Sequence, residues 1–299
     1  MPIIMTFKIL ILLIIIPCSF FSQKYFLLDS LKKYDVKEYT LETEDIYNID
    51  KTINVYNVFV TNKNILFLSV LPDLEDKLLS INEKTLINWE TIDIKKIKDQ
   101  IFTNEQINKI AYEWSTNNAP EKKTMEYQLI KRKNGVYYVS KHCLTEFFNI
   151  SNIEFPLISS YGVINIMDKE VPISQMKASF EKQFPNTNFI LDIRKENFIQ
   201  NLSVYYNYRN YLSKIITIKK EKAYQFWTFD GWWAQDGYNE HRGIDRFLFI
   251  PEKGIVGGSY DFYFRLKPKI SSNKYFTESD KKLWENIINE KIMIANEIK

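Results

Sequence analysis

Cysteine is almost missing from this chain: Cys18 and Cys143 are the only two in 299 residues. A disulfide-stapled architecture is excluded, because once Cys18 departs with an N-terminal leader no intramolecular partner remains for Cys143. Stability must then come from an apolar core, and 45% hydrophobic and 15% aromatic residues supply the material. Histidine is as scarce, with two residues, and the pattern His-Glu-x-x-His is absent. Zinc chemistry therefore lacks ligands, and general-base chemistry has few candidates besides carboxylates. Glycine numbers eight, and no low-complexity linker or internal repeat is present. "GIVGGS" (254–259) lacks the spacing and the following helix of a phosphate-binding loop. "GGSYD" has Asp261 where a nucleophile elbow needs its second glycine.

Long apolar runs are absent except at the start. In residues 1–22, Lys8 precedes the unbroken run Ile9–Ile16 and a small-residue stretch, which is the layout of a secretory signal and too short to span a bilayer comfortably. Cleavage is expected near Ser22–Gln23, giving an exported, periplasmic or extracellular protein. A lipid anchor at Cys18 is the alternative, disfavoured because Pro17 stands where a small residue is usual. The formal charge of +3 falls to about +2 without Lys8, and lysines alternate with acids. That pattern describes solvated faces, so nucleic acid is not an expected partner.

Several stretches carry clear local signals. "INVYNVFVTNKNILFLSVLP" (53–72) predicts two strands around Asn62-Lys63-Asn64, residues that tolerate left-handed turn geometry. Thr103 and Gln106 form a capping-box pattern for a helix with Ile107, Ile110, Ala111 and Trp114 on one face. Asn134-Gly135 lies between alternating runs, which predicts a type I′ hairpin. A strand is expected from Leu157, and another at 188–193. Between them Met176, Phe180 and Phe184 recur at helical spacing before Pro185, as core anchors of a helix.

A β-meander is expected over about 202–269, with Pro251-Glu252-Lys253-Gly254 as a tight turn and a strand running from Gly254 through Arg265. A C-terminal amphipathic helix follows, capped by Thr277 with Asp280, its apolar faces reaching Ile292 and Ile294. The fold class is thus α+β: mainly antiparallel sheets covered by helices. Residues 23–299 are expected to form a single α+β domain, with subdivision into 23–150 and 151–299 as the alternative.

The connection at 230–245 is longer than a hairpin needs. Trp232, Trp233 and Tyr238 stand there beside Asp230, Gln235, Asp236, Asn239, Glu240, His241 and Arg242. Rings flanked by planar hydrogen-bonding groups suit a glycan, a peptide or another protein. Trp232, Trp233, Tyr238, Gln235, Arg242 and, from the adjoining strand, Asp261 are therefore the candidate ligand-binding residues. The bland alternative is that the paired indoles split between core and surface. Asp230 and Asp236, with Glu240 and His241, are candidate catalytic groups for a glycosidase-like hydrolase. A calcium site drawn from Asp236, Glu240, His241 and Asp245 fits no EF-hand spacing, so neither metal nor cofactor is expected. Cys143 lacks a thiol-hydrolase signature and reads as buried and inert. The preferred function is non-enzymatic binding; the hydrolase and a structural envelope component are the alternatives. Binding predicts a shift in tryptophan fluorescence on adding ligand. Hydrolysis predicts lost activity in Asp230→Asn and Asp236→Asn, and undiminished activity in both variants removes it.

Overall fold

The computed structural model describes residues 23–74, 88–116, 124–152, 162–185, 189, 206, 209–229, 243–266 and 280–299. The described chain opens with strand β1 (Tyr25–Leu27), the helical turn α1 (Leu28–Leu31), β2 (Asp35–Glu42) and a second helical turn, α2 (Glu44–Tyr47). Next come β3 (Thr52–Phe59), β4 (Asn64–Leu71), β5 (Trp89–Thr91) and helix α3 (Asn104–Thr116). Strands β6 (Thr124–Met125), β7 (Gln128–Lys133), β8 (Val136–Ser140), β9 (His142–Ile150) and β10 (Val163–Ile164) lead to helix α4 (Ile173–Gln183). The remainder is β11 (Arg209–Ile218), β12 (Glu221–Phe229), β13 (Arg246–Ile250), β14 (Gly254–Ser259), α5 (Asp261–Leu266), α6 (Asp280–Ile288) and β15 (Met293–Ile294). Strand dominates over helix, and antiparallel pairing dominates the sheets, consistent with the α+β class. Among the described residues no helix is long and apolar enough to cross a membrane.

Three sheets form. The N-terminal sheet has the order β1-β7-β8-β5, the central sheet β10-β9-β4-β3-β2 with β6 added on β9, and the C-terminal sheet is the meander β11 to β15. Alternate residues of a strand face opposite ways, and in the central sheet both ways lead indoors. Val55, Phe67, Leu71 and Phe148 meet Phe226, Phe247 and Val256 of the C-terminal sheet. Tyr56, Leu66, Leu68 and Phe147 meet Phe26, Leu129 and the α3 residues Ile107 and Ala111. This two-sided burial is why residues 53–71 read as nearly unbroken apolar runs. The outer face of the C-terminal sheet is covered in turn: Trp227 and Phe229 pack with Met176 and Phe180 of α4 and Trp284 and Ile287 of α6. Each such side chain, fully buried, contributes roughly 1.5–3 kcal/mol.

Local chemistry follows the sequence in several places. Thr103 Oγ1 accepts from the Gln106 amide at 3.2 Å while Gln106 Oε1 accepts from the Thr103 amide at 2.9 Å, a reciprocal capping box. Asn134 and Gly135 have φ of 51° and 81°, both positive as a type I′ turn requires. A second two-residue hairpin has no such signature: Lys219 and Lys220, at φ 47° and 73°, join β11 to β12.

Other expectations are corrected. The β3–β4 turn uses no left-handed residue at 62–64; instead Thr61 Oγ1 accepts from the amides of Lys63 and Asn64 at 3.2 and 3.1 Å. The strand expected to run through Arg265 stops at Ser259, and the chain turns helical at Asp261. Its next two ladder donors are taken by side chains: the Tyr260 amide by Tyr47 Oη and the Asp261 amide by Asp245 Oδ2. The C-terminal helix ends at Ile288 rather than reaching Ile294. Its end is a Schellman motif, with Lys291 N bonded to Asn286 O, Glu290 N to Ile287 O, and Glu290 left-handed at φ 51°. The Glu290 carboxylate then accepts from the Ile173 amide at the start of α4 and from the Ser213 hydroxyl, so it pins two helices to the sheet. Residues 157–161, Thr277, and the strand expected at 188–193 apart from Phe189, which is buried, lie outside the described residues.

Two glycines of β14 are occupied by the fold itself. A Cβ on Gly257 would sit 2.4 Å from the Met293 carbonyl, and one on Gly258 would sit 2.2 Å from Ile244 Cδ1. The room they leave is filled by β15 and Ile244. Gly254 is constrained twice. Its φ is 81°, and a Cβ there would lie 2.4 Å from Asn57 Oδ1. Asn57 is itself a bridge between sheets, accepting from the Ile255 amide at 2.7 Å and donating to the Ile255 carbonyl at 2.9 Å. Gly254→Ala is therefore expected to lower stability by about 2–4 kcal/mol, read as a lower urea midpoint with unchanged slope.

Candidate functional site

Of the residues singled out in the sequence, Asp230, Trp232, Trp233, Gln235, Asp236, Tyr238, Glu240, His241 and Arg242 lie outside the described residues. The two ends of that connection are described, and both are held. Thr228 N donates to Asp245 O at 2.9 Å, Asp245 N to Ser259 O at 2.8 Å, and Ile244 N to Glu146 Oε2 at 3.0 Å. Asp261 does not line a water-facing strand. It is 0% exposed, at the first residue of α5.

Asp261 is buried because it neutralises Arg246, which is itself 2% exposed on β13. Arg246 Nη1 lies 2.5 Å from Asp261 Oδ2 and Nη2 lies 3.1 Å from Oδ1, a two-pronged pair. Nε and Nη2 also donate to the Lys291 carbonyl at 3.1 and 2.9 Å. Ser259 and Tyr47 add hydroxyl donors to the carboxylate at 3.2 Å each. Burial by itself pulls the guanidinium toward its neutral form; the Asp261 charge and hydrogen bonds, with Tyr47 and Asp245, outweigh it, so the pKa rises. Burial, reinforced by Asp261, drives the Tyr47 phenol well above its ordinary value. Tyr260, 2.6 Å from Ser69 Oγ, is driven the same way by burial and then by Glu146. A sealed, matched ion pair of this kind holds parts together and offers no open reacting centre. Among the described residues no group of three or more His, Cys, Asp or Glu is disposed to hold a metal ion.

Cys143 and His142 face opposite ways along β9, as an extended segment requires. Cys143 is buried in the layer beneath the central sheet, and burial pushes its thiol up to about 12. His142 Nε2 lies 3.5 Å from Asp73 Oδ1, whose other oxygen is 2.9 Å from Lys141 Nζ.

An open groove of about 730 Å³ lies at the mouth between the central and C-terminal sheets, within the size range of ligand sites. The central sheet contributes Asp35 and Lys37 of β2, Phe59 at the end of β3, Thr61 and Asn62 of the next turn, Ile150 at the end of β9, and Asn152 just after it. Ile166, Phe249 of β13, and Pro251 and Glu252 of the β13–β14 turn complete it. Asp35 and Lys37 pair at 2.9 Å. Glu252 is exposed and left-handed at φ 67°, in the third position of a turn closed by Lys253 N to Ile250 O at 3.1 Å. That position favours glycine, and a side chain held there costs of order 1 kcal/mol. Phe249, the β13 residue of the groove, stands roughly 10 Å along the strand from Arg246, by strand rise.

No known family model matches the chain, and no curated protein or solved structure is measurably similar to it.

The groove escaped the sequence reading because separate segments supply it, each unremarkable alone. The one signal present was Pro251-Glu252-Lys253-Gly254, where an acid occupies a site that turn geometry reserves for glycine.

Two outcomes follow. Asp261→Asn leaves Arg246 buried with a neutral partner and is expected to lower stability by about 3–5 kcal/mol, while Arg246→Met with Asp261→Leu loses much less; denaturant melts compare them. For pH, the folded chain holds the Cys143 proton above the ordinary value of 9.0, and the buried phenols behave alike. The stability this represents is complete below pH 9 and is lost as pH climbs toward 12. Urea midpoints measured at pH 8, 10 and 11 should fall in that order.

Proposed function

We propose that the protein is an exported, non-enzymatic binding protein whose ligand site is the groove at the mouth of the two sheets. The observation that carries this reading is the groove itself: an open concavity with an apolar floor of Phe59, Ile150, Ile166 and Phe249 and a polar rim of Thr61, Asn62, Asn152 and Glu252. Apolar floors give affinity and a few placed polar groups give orientation, the usual division of labour in ligand sites. The described acids Asp261 and Asp245 support the same reading, since both are engaged in holding the fold. The aromatic connection at 230–242 is not needed for it.

A reporter at the rim tests the proposal. Asn62→Cys in a Cys18→Ser background leaves one reactive thiol, because burial keeps Cys143 protonated at neutral pH. A polarity-sensitive dye on that thiol is expected to shift with at least one member of a peptide and oligosaccharide panel. Filling the groove with Ile166→Trp should abolish the shift. Silence across the panel, or a shift that survives Ile166→Trp, overturns the proposal.

A further inference from the structure

The chemistry of the groove narrows its occupant, given the reading above on which this step rests. The two rings of its floor are recessed: Phe249 is 1% exposed and Phe59 is partly buried against the core. A sugar is gripped by a ring face laid open to it, whereas recessed rings beside Ile150 and Ile166 leave an apolar floor that fits an aliphatic side chain. Charge is the second constraint. Lys37 is neutralised by Asp35, and Lys253, next to the rim, by Glu221. Among the described residues Glu252 has neither an ion-pair nor a hydrogen-bond partner, so the groove carries one uncompensated negative charge. That carboxylate is held at the rim by a strained backbone position, where glycine would relieve the fold. Of the left-handed non-glycine residues Asn48, Asn134, Lys219, Lys220, Glu252 and Glu290, Glu252 is the one that lines the groove.

We propose that the groove receives an extended peptide segment with an apolar side chain seated on the floor and a lysine or arginine paired to Glu252. In an extended chain, residues i and i+2 fall on one side, roughly 7 Å apart, so the recognised pattern is apolar-x-basic. The exposed Thr61, Asn62 and Asn152 at the rim supply hydrogen-bonding groups for the peptide backbone.

The test is fluorescence polarisation with labelled nonapeptides carrying Leu-x-Lys, Leu-x-Gln or Leu-x-Glu, with a neutral hexasaccharide as competitor. The expected result is at least tenfold tighter binding of Leu-x-Lys than of Leu-x-Glu. Glu252→Gln should shrink that preference to about twofold or less. Glu252→Gly should do the same while raising the melting midpoint by about 2 °C, since it removes the strain. A lysine preference that survives both variants overturns the inference, as does a hexasaccharide that competes while the charge series binds alike. Ile166→Trp separates the two levels. If it abolishes peptide binding but Glu252→Gln leaves the lysine preference, only the charge pairing falls. If it leaves peptide binding intact, the groove reading falls with it.

Discussion

A guanidinium shut away from water has to be met on every side by the protein, and at Arg246 that demand organises half the molecule. Its partners come from α5, through Asp261, and from the approach to β15, through the Lys291 carbonyl. Asp261 in turn engages α2 through Tyr47. Removing an ion pair's hydration costs several kcal/mol per charge, so the geometry has to be nearly complete for the pair to be tolerable. The fold obliges by ending β14 at Ser259 and bending the chain into a helix, which aims Asp261 at β13. The secondary structure here is set by where a charge must point.

Around that clamp the architecture is a stack: the N-terminal sheet with α3, the central sheet, the C-terminal sheet, then α4 and α6. Layers that bury both faces of a sheet need apolar residues on both, so the central strands have no polar side. Three of the polar groups they carry are put to use across the layer boundary. Asn57 imitates a rung of backbone pairing with Ile255, Ser69 meets Tyr260, and Glu146 accepts from the Ile244 amide. Because each is matched across the gap, the two sheets have one register relative to each other, where apolar contact alone would allow sliding.

Elements whose geometry is decided by neighbours in sequence were legible. The capping box at Thr103, the Asn134-Gly135 hairpin and the helix with Met176 and Phe180 all answer to residues within a turn or two. The meander was legible because its strands are short apolar runs bounded by turn residues. What could not be read were decisions made from afar. Asp245 and Tyr47 capture the donors that would have extended β14, and Glu290 ends α6 in a left-handed residue to reach α4. The Lys219-Lys220 turn went unmarked because it uses left-handed geometry without the residues that favour it. The site divides likewise. Asp261, placed on an open face by alternation, is sealed by the helix that alternation did not foresee, and the groove is assembled from parts distant in sequence.

The carbonyl that completes the Arg246 clamp lies 45 positions downstream. A polypeptide emerging N-terminus first, from a ribosome or a translocation pore, presents β13 long before Lys291 appears. During that interval the guanidinium keeps its water, so β13 cannot be sealed beneath the helices. Strand β1 waits similarly for β7, whose Glu126 flank bonds Gln23 across 103 positions. The Arg246 clamp is therefore complete only once Lys291 has joined the sheet, a long-range closure of the kind that slows folding.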